Sequence, residues 1–397
     1  MDMKIAPARL SGSLAAPPSK SHAHRLMTAM FLAGREIPEA MCTSDDLNAT
    51  RRCLYALRSG ETLDCGESGT TLRFLLPVAA SLGVKVRFEG HGRLPERPMS
   101  ELVRALRENG AVISSDTLPI SLSGKLHAGT FCVPGNISSQ FISGLLFALP
   151  LLGGDSEIVI SGKRESAGYI EMTLDVLRAF SIDINRTENG FTIKGNQQYT
   201  APADCTVQGD WSNAAFFLCM SALGSNIKIT GLDISCSQSD RAVTDILKNF
   251  GAEVTDADGA VTVCGGKLHG QRIDISPCPD LFPALAVTAC AAEGDTVFFN
   301  AGRLRIKESD RIAAVEAMIK SLGGSAESTR DTLTVHGGGL QGGEVDSFND
   351  HRIVMAAATA ACVCKEPIMI RGAQAVNKSY PTFFKDYTEL GGKSDVI

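Results

Sequence analysis

The sequence predicts an α/β protein of two domains built from one repeated unit, and three observations carry that prediction. A phrase made of an amphipathic run, a glycine or polar turn and a short strand recurs along the chain. A second phrase, a small-residue loop and then a run that is apolar nearly all round, precedes each copy. The chain has 397 residues, more than one typical domain, so six such units distribute as three in each of two domains.

The amphipathic run is ELVRALRENGAVI from Glu101, MTLDVLRAFSIDI from Met172, AVTDILKNFGAEV from Ala242 and AVEAMIKSLGGSA from Ala314, with weaker copies from Leu47 and Thr382. Its apolar residues fall at helical spacing, and Gly110, Gly251 and Gly323 stand where a helix end favours a left-handed residue. The loops are PPSKSHAHR from Pro17, CGESGTTLR from Cys65, PGNISSQF from Pro134, QGDWSNAAF from Gln208, SPCPDLFPA from Ser276 and SFNDHRIVM from Ser347, spaced after the first pair by roughly 70 residues. Runs such as SGLLFALPLL and VMAAATAACV then predict buried helices, and SEIVISG, NIKITG and TVFFNAG predict strands. Periodicity alone would also suit a non-catalytic solenoid. The loops argue otherwise, because each sets Ser, Thr, Asn, Asp or Gly before a helix start, where free N–H groups and the helix dipole favour anions. Capping explains any one of them more simply; six that also carry Lys, Arg, Gln and Asp point to anionic ligands.

Composition narrows the class. Hydrophobic residues make up 44% and charged residues 21%, as in ordinary globular proteins. A net charge of −6 argues against a nucleic-acid partner, and no run approaches the roughly 18 apolar residues of a membrane span. The N-terminus lacks an apolar secretory segment, so a cytoplasmic location is expected. The 12 cysteines are scattered without CxxC or Cys/His metal spacing, which predicts reduced thiols, no metal and no cofactor. The glycines Gly337, Gly339 and Gly342 fit GxGxxG but lead into no helix, so a dinucleotide site is not expected.

Taken in order, Lys20, Ser21 and Arg25 gather at one predicted helix start, where a lysine, a hydroxyl and an arginine can hold phosphate. Arg97 stands between Pro95 and Pro98, a rigid frame for a guanidinium. Lys307 and Arg311 are four apart and would share a helix face if the helix began there, with ion pairs to Glu308 and Asp310 as the plainer account. Asp280, among Pro277, Pro279 and Pro283, begins another apolar run, where a carboxylate can serve as an N-cap. Asn349, Asp350, His351 and Arg352 open the last apolar helix, with His351 more simply a structural partner. Trp211, the only tryptophan, suits packing.

Together SKSHAHR, GESGTTLR, LPERPM, NISSQF, SAGYIEMT, PDLFPA, KESDR, NDHR and NKSYPTFF resemble, in order and spacing, the 5-enolpyruvylshikimate-3-phosphate synthase family in its monofunctional bacterial form. The resemblance covers nearly the whole chain. It implies an inside-out α/β barrel of six βαβαββ repeats, with residues 1–14 and 208–397 in one domain, 15–207 in the other, and the active site in the cleft between them. It implies a monomer that transfers the enolpyruvyl group of phosphoenolpyruvate to the 5-hydroxyl of 3-phosphoshikimate and releases phosphate, through a tetrahedral intermediate. Lys20, Ser21, Arg25, Ser138, Ser139, Gln140, Ser166, Asp280 and Lys307, with Tyr169 nearby, would then hold 3-phosphoshikimate. Lys20, Gly69, Arg97, Gln140, Arg311, Arg352 and Lys378 would hold phosphoenolpyruvate, with Asp280 as base, Glu308 as proton donor and Lys20 touching both substrates.

Two positions depart from the family pattern. Glu67-Ser68 stands where Asn and Ala or Ser are usual, which sets a carboxylate beside the donor pocket; Arg303 replaces a frequent Asn that contacts phosphoshikimate. Gly69 keeps the glycine associated with glyphosate sensitivity. The rival with the same fold and donor, UDP-N-acetylglucosamine enolpyruvyl transferase, would show Lys-Asn at Lys20-Ser21 and a loop cysteine where this chain has LPERPM.

Overall fold

Five four-stranded sheets share one topology in the computed structural model, which describes residues 1–162, 165 and 167–397. In the sheet built from Leu63–Asp64, Val86–Glu89, Ala111–Ile113 and Ile120–Gly124, the first two strands pair in parallel and the last two form an antiparallel hairpin beside the second. The order along the sheet is first, second, fourth, third. The C-terminal sheet keeps this order through Gly343–Asp346, Ile368–Arg371 and Ser394–Val396 because the N-terminal strand Met3–Ile5 takes the fourth place.

Contacts divide the chain into two units. The first comprises residues 1–19, 208–235 and 239–397; the second comprises 20–207 and 236–238. The second carries α1 (Lys20–Leu32), α2 (Asp45–Ser59), α3 (Gly69–Leu82), α4 (Ser100–Glu108), α5 (Ser139–Ala148) and α6 (Ala167–Ala179). The first carries α7 (Trp211–Ala222), α8 (Val243–Phe250), α9 (Phe282–Cys290), α10 (Arg311–Ser321), α11 (His351–Ala360) and α12 (Phe383–Glu389).

Each sheet has one helix leading into the second of its parallel strands and another before its hairpin, although Ser11–Ala15 is separated from its parallel partner Asn226–Thr230 by residues 20–207 of the second unit as well. The former (α3, α5, α7, α9, α11) are buried almost throughout, and α7, α9 and α11 touch pairwise. Each Leu or Phe they bury adds about 1.5–3 kcal/mol of hydrophobic stabilisation. The amphipathic helices α4 and α8 bury only one stripe. Gly110, Gly251 and Gly323 take φ of 100°, 105° and 79° at their helix ends, the left-handed conformation expected of them.

The pair α1 and α2 differs from the sixfold expectation. No strand is assigned to it: a single 3-10 turn, Glu39–Met41, lies between the helices, and only three residues separate Ser59 from Leu63. Three residues cannot form the expected hairpin.

One close approach positions the site. Pro77 sits inside α3 and has no N–H to offer the carbonyl of Arg73, four residues earlier. Gly144 of α5 packs on that carbonyl, where an added Cβ would lie 2.2 Å from the oxygen. Absence of a side chain at Gly144 therefore sets the spacing of α3 and α5, which carry Arg73 and Gln140.

Candidate active site

In the second unit the anchors gather at helix starts. Ser68 caps α3 by accepting from the Thr71 N–H (3.2 Å), and Ser138 caps α5 by accepting from the Gln140 N–H (3.3 Å). The capping reading therefore holds for both loops, which leaves the next N–H groups of each helix for a ligand. At Gly69, the first residue of α3, two guanidiniums crowd the backbone. An added Cβ would meet Arg97 Nη1 at 2.7 Å and Arg73 Nη1 at 2.9 Å. Gln140 joins them, accepting from Arg73 Nη1 at 2.8 Å and donating through Nε2 to Thr70 Oγ1 at 2.7 Å. Arg73 also donates to the Pro98 carbonyl, beside Arg97, at 3.1 Å. Gly69, Arg97 and Gln140 are thus brought together, and Arg73, which sequence reasoning missed, ties them. Its signal was present as the arginine ending GESGTTLR. Glu67 packs towards Gly92, whose added Cβ would lie 2.5 Å from its carboxylate.

Lys20, Ser21 and Arg25, three of the residues expected to hold 3-phosphoshikimate, lie at the start of α1. Lys20 pairs with Asp46 of α2 at 2.8 Å. Arg25 is buried and donates to Thr173 Oγ1, the Ser21 carbonyl and the Tyr169 carbonyl at 2.7–2.8 Å, with its charge over the Phe74 ring. Burial pushes its guanidinium down to about 10. Arg25 therefore clamps α1 to α6. Ser139 is buried at the head of α5, while Ser166 lies outside the described residues.

In the first unit the cations converge on one carboxylate. Asp280 sits in the 3-10 turn Pro279–Leu281, one residue before the Leu281 that takes the cap position of α9; its carboxylate receives Arg311 Nη1 at 3.0 Å and Arg352 Nη2 at 2.9 Å, with Lys307 Nζ at 3.7 Å. Arg311 also reaches Glu308 at 2.7 Å and Asp350 at 3.0 Å. Asp350, fully buried, caps α11 through the Arg352 N–H and accepts from Ser309. Lys378 donates to the Asn349 carbonyl at 2.7 Å. The shared helix face expected of Lys307 and Arg311 is not formed. Asp310 caps α10 by accepting from the Ala313 N–H, so the helix starts at Arg311 and Lys307 precedes it in extended backbone. Both still face Asp280.

Burial works against ionisation of Asp280, but Arg352, Lys307 and Arg311 outweigh it and hold the carboxyl well below the usual range. Burial pushes Lys307 down to about 8, Asp280 opposing and the charges of Arg311 and Arg303 assisting. Asp240, also missed in the sequence, is buried and accepts the Ser212 hydroxyl; burial and the nearby Asp280 charge push it up to about 6. Trp211 donates to the Asp233 carbonyl at 3.0 Å from a buried ring, the packing role expected of it. Among the described residues no group of three or more His, Cys, Asp or Glu is placed to hold a metal, and no helix is long and apolar enough to cross a membrane.

Comparison with known proteins shows which family the chain resembles and which fold it shares. The sequence model of the family described as EPSP synthase (3-phosphoshikimate 1-carboxyvinyltransferase) matches residues 58–387. The chain is 41% identical to the 3-phosphoshikimate 1-carboxyvinyltransferase of Clostridium novyi (strain NT), over 99% of this chain and 98% of that one. It is 39% identical to the enzyme of the same description from Clostridioides difficile (strain 630), over the same shares. The structure of EPSP synthase from Acinetobacter baumannii superposes with a TM-score of 0.79 at 26% identity, covering 100% of both chains. The enolpyruvyl transferase NikO from Streptomyces tendae shares the fold, with a TM-score of 0.76 at 17% identity, over 99% of this chain and 98% of that one. The Clostridium novyi alignment spans 428 positions against 397 residues, so at least 31 positions have no counterpart here. The family match begins at Arg58, in the last turn of α2, where the α1–α2 pair lacks its sheet.

Proposed function

The chain belongs to the EPSP synthase family and transfers the enolpyruvyl group of phosphoenolpyruvate to 3-phosphoshikimate; on that premise we propose which of its residues do the work. Gly69, Arg97 and Gln140 hold phosphoenolpyruvate on the second unit, and Arg311, Arg352 and Lys378 hold it on the first. Lys20, Ser21, Arg25, Ser138, Ser139, Gln140, Asp280 and Lys307 hold 3-phosphoshikimate, with Lys20 also reaching phosphoenolpyruvate and Ser166 joining from outside the described residues. The reaction runs in the cytoplasm and in a single chain in this reading.

The observation that carries it is the convergence of Arg311, Arg352 and Lys307 on Asp280. With its cations engaged, Asp280 is a weak base. Anionic substrates compete for Arg311 and Arg352, which releases the carboxylate and raises its proton affinity when the acceptor hydroxyl is present. Asp280 then takes the 5-hydroxyl proton as the oxygen bonds to C2 of phosphoenolpyruvate, and Glu308 supplies a proton to the methylene carbon. In the second step the methyl carbon gives back a proton, the C2–O bond to phosphate breaks, and phosphate leaves with the bond pair. Buried guanidiniums stabilise the charge that develops on the departing phosphate. Purified protein given both substrates releases phosphate in this reading, and none with either alone. Persistent silence across pH and salt would overturn it.

A further inference from the structure

A chain of buried hydrogen bonds crosses the second unit from α1 to the head of α3, through residues to which the reaction above gives no role. His24 Nδ1 lies 2.8 Å from Thr50 Oγ1 on α2, Thr50 Oγ1 lies 2.6 Å from Thr71 Oγ1 on α3, and Thr71 donates its hydroxyl proton to Ser68 Oγ at 2.7 Å. All four side chains are buried. Each hydroxyl has one proton to give, so the direction of the chain follows. Thr71 spends its proton on Ser68, hence Thr50 donates to Thr71, and His24 must donate to Thr50 from Nδ1. The imidazole is neutral, because burial and then the charges of Lys20 and Arg25 hold it well below its usual value. The ends of the chain are telling. His24 stands one helical turn after Lys20 and directly before Arg25, and Ser68 caps α3 directly before Gly69, where Arg97 and Arg73 meet. Apolar packing between α1, α2 and α3 would tolerate small slides, whereas directional bonds of 2.6–2.8 Å fix both distance and rotation.

We propose that His24, Thr50 and Thr71 are positioning residues for the known reaction, holding the Ser68–Gly69 donor anchor in register with the Lys20–Arg25 acceptor anchor. This rests on the placement of phosphoenolpyruvate at the head of α3. Valine matches threonine in shape and deletes only the hydroxyl, so Thr50→Val and Thr71→Val break the chain without opening a cavity. Steady-state kinetics and thermal melting are measured for both, for Thr50→Ser and Thr71→Ser, for the double valine variant, and for Ser68→Ala should a valine variant fail to fold. Each valine variant raises KM for phosphoenolpyruvate about tenfold while kcat changes less than threefold, as expected for losing the two buried hydrogen bonds of one hydroxyl. The serine variants stay within about twofold of wild type, and the double variant is little worse than either single one because the bonds act as a unit. Melting temperatures that fall while KM for phosphoenolpyruvate stays at the wild-type value overturn the inference. Arg97→Ala is the control for its premise. If it too leaves that KM unchanged, the donor placement fails and the inference with it; if it raises KM and the valine variants do not, the network alone fails.

Discussion

Arg311 Nη1 lies 3.0 Å from Asp280 Oδ1, and the same guanidinium reaches Glu308 and Asp350. One buried cation thus joins the carboxylate assigned as base to the one assigned as acid. Asp280→Asn should keep the fold and lose turnover by at least about a thousandfold, as expected for losing a positioned base and its ion pairs. It also leaves Arg311, Arg352 and Lys307 facing one another with less compensation. Inorganic phosphate should therefore raise the melting temperature of Asp280→Asn more than that of wild type. Turnover within a few-fold of wild type would remove Asp280 from the mechanism.

Lys307 sets an alkaline limit. Its pKa of about 8 in the unliganded protein means that the ammonium is lost just above neutrality. kcat/KM reports ionisations of the free enzyme, so kcat/KM for 3-phosphoshikimate should fall as pH rises through about 8. Lys307→Arg, which stays charged, should move that limb upward by more than one pH unit even if its maximum is lower. An unmoved limb would assign the ionisation elsewhere.

Asp240 makes stability depend on pH in the opposite sense from an ordinary ion-paired carboxylate. Burial and the nearby Asp280 charge raise its folded pKa to about 6, above the usual carboxylate range. The folded state therefore binds the proton more tightly. The contribution is fully present below about pH 4 and is lost as pH rises through about 6, amounting to at most about 3 kcal/mol. Asp240→Asn, which keeps a group able to accept from Ser212, should melt higher than wild type at pH 8, with the gap closing at pH 5. A gap that does not change with pH would contradict this assignment.

Gly144→Ala tests the α3–α5 spacing. The new methyl would lie 2.2 Å from the Arg73 carbonyl, so the helices must part, at a cost of about 1–3 kcal/mol measurable by denaturant unfolding. Because Arg73 and Gln140 ride on those helices, KM for phosphoenolpyruvate should rise as well. Gly69→Ala should raise the same KM about tenfold at less cost in stability than Gly144→Ala, since its methyl meets the side-chain ends of Arg97 and Arg73, not backbone.

What was legible in the chain was whatever is written locally. Helical spacing and the glycines at 110, 251 and 323 announced the repeated unit, and the family resemblance carried by the helix-start loops named Gly69, Ser138, Gln140 and Arg352 as candidates. Charged residues without a local pattern were harder. Asp240 lies in an ordinary polar stretch, and only packing shows that Ser212, Arg352 and Asp280 surround it. Lys307 and Arg311 were read four apart on one helix, but the competing cap at Asp310 starts the helix later.

The sequence by itself determined the class of the fold, the order of its units and the family's reaction, because periodicity, capping residues and motif order are local properties of the chain. It did not show that the α1–α2 pair has no sheet, since a missing hairpin leaves no residue to read. Only the tertiary structure decided how the charges are shared. Asp280, Lys307, Arg311 and Arg352 come from segments up to 72 residues apart, and their ionisation depends on distances of 2.9–3.7 Å and on burial, which no spacing along the chain encodes.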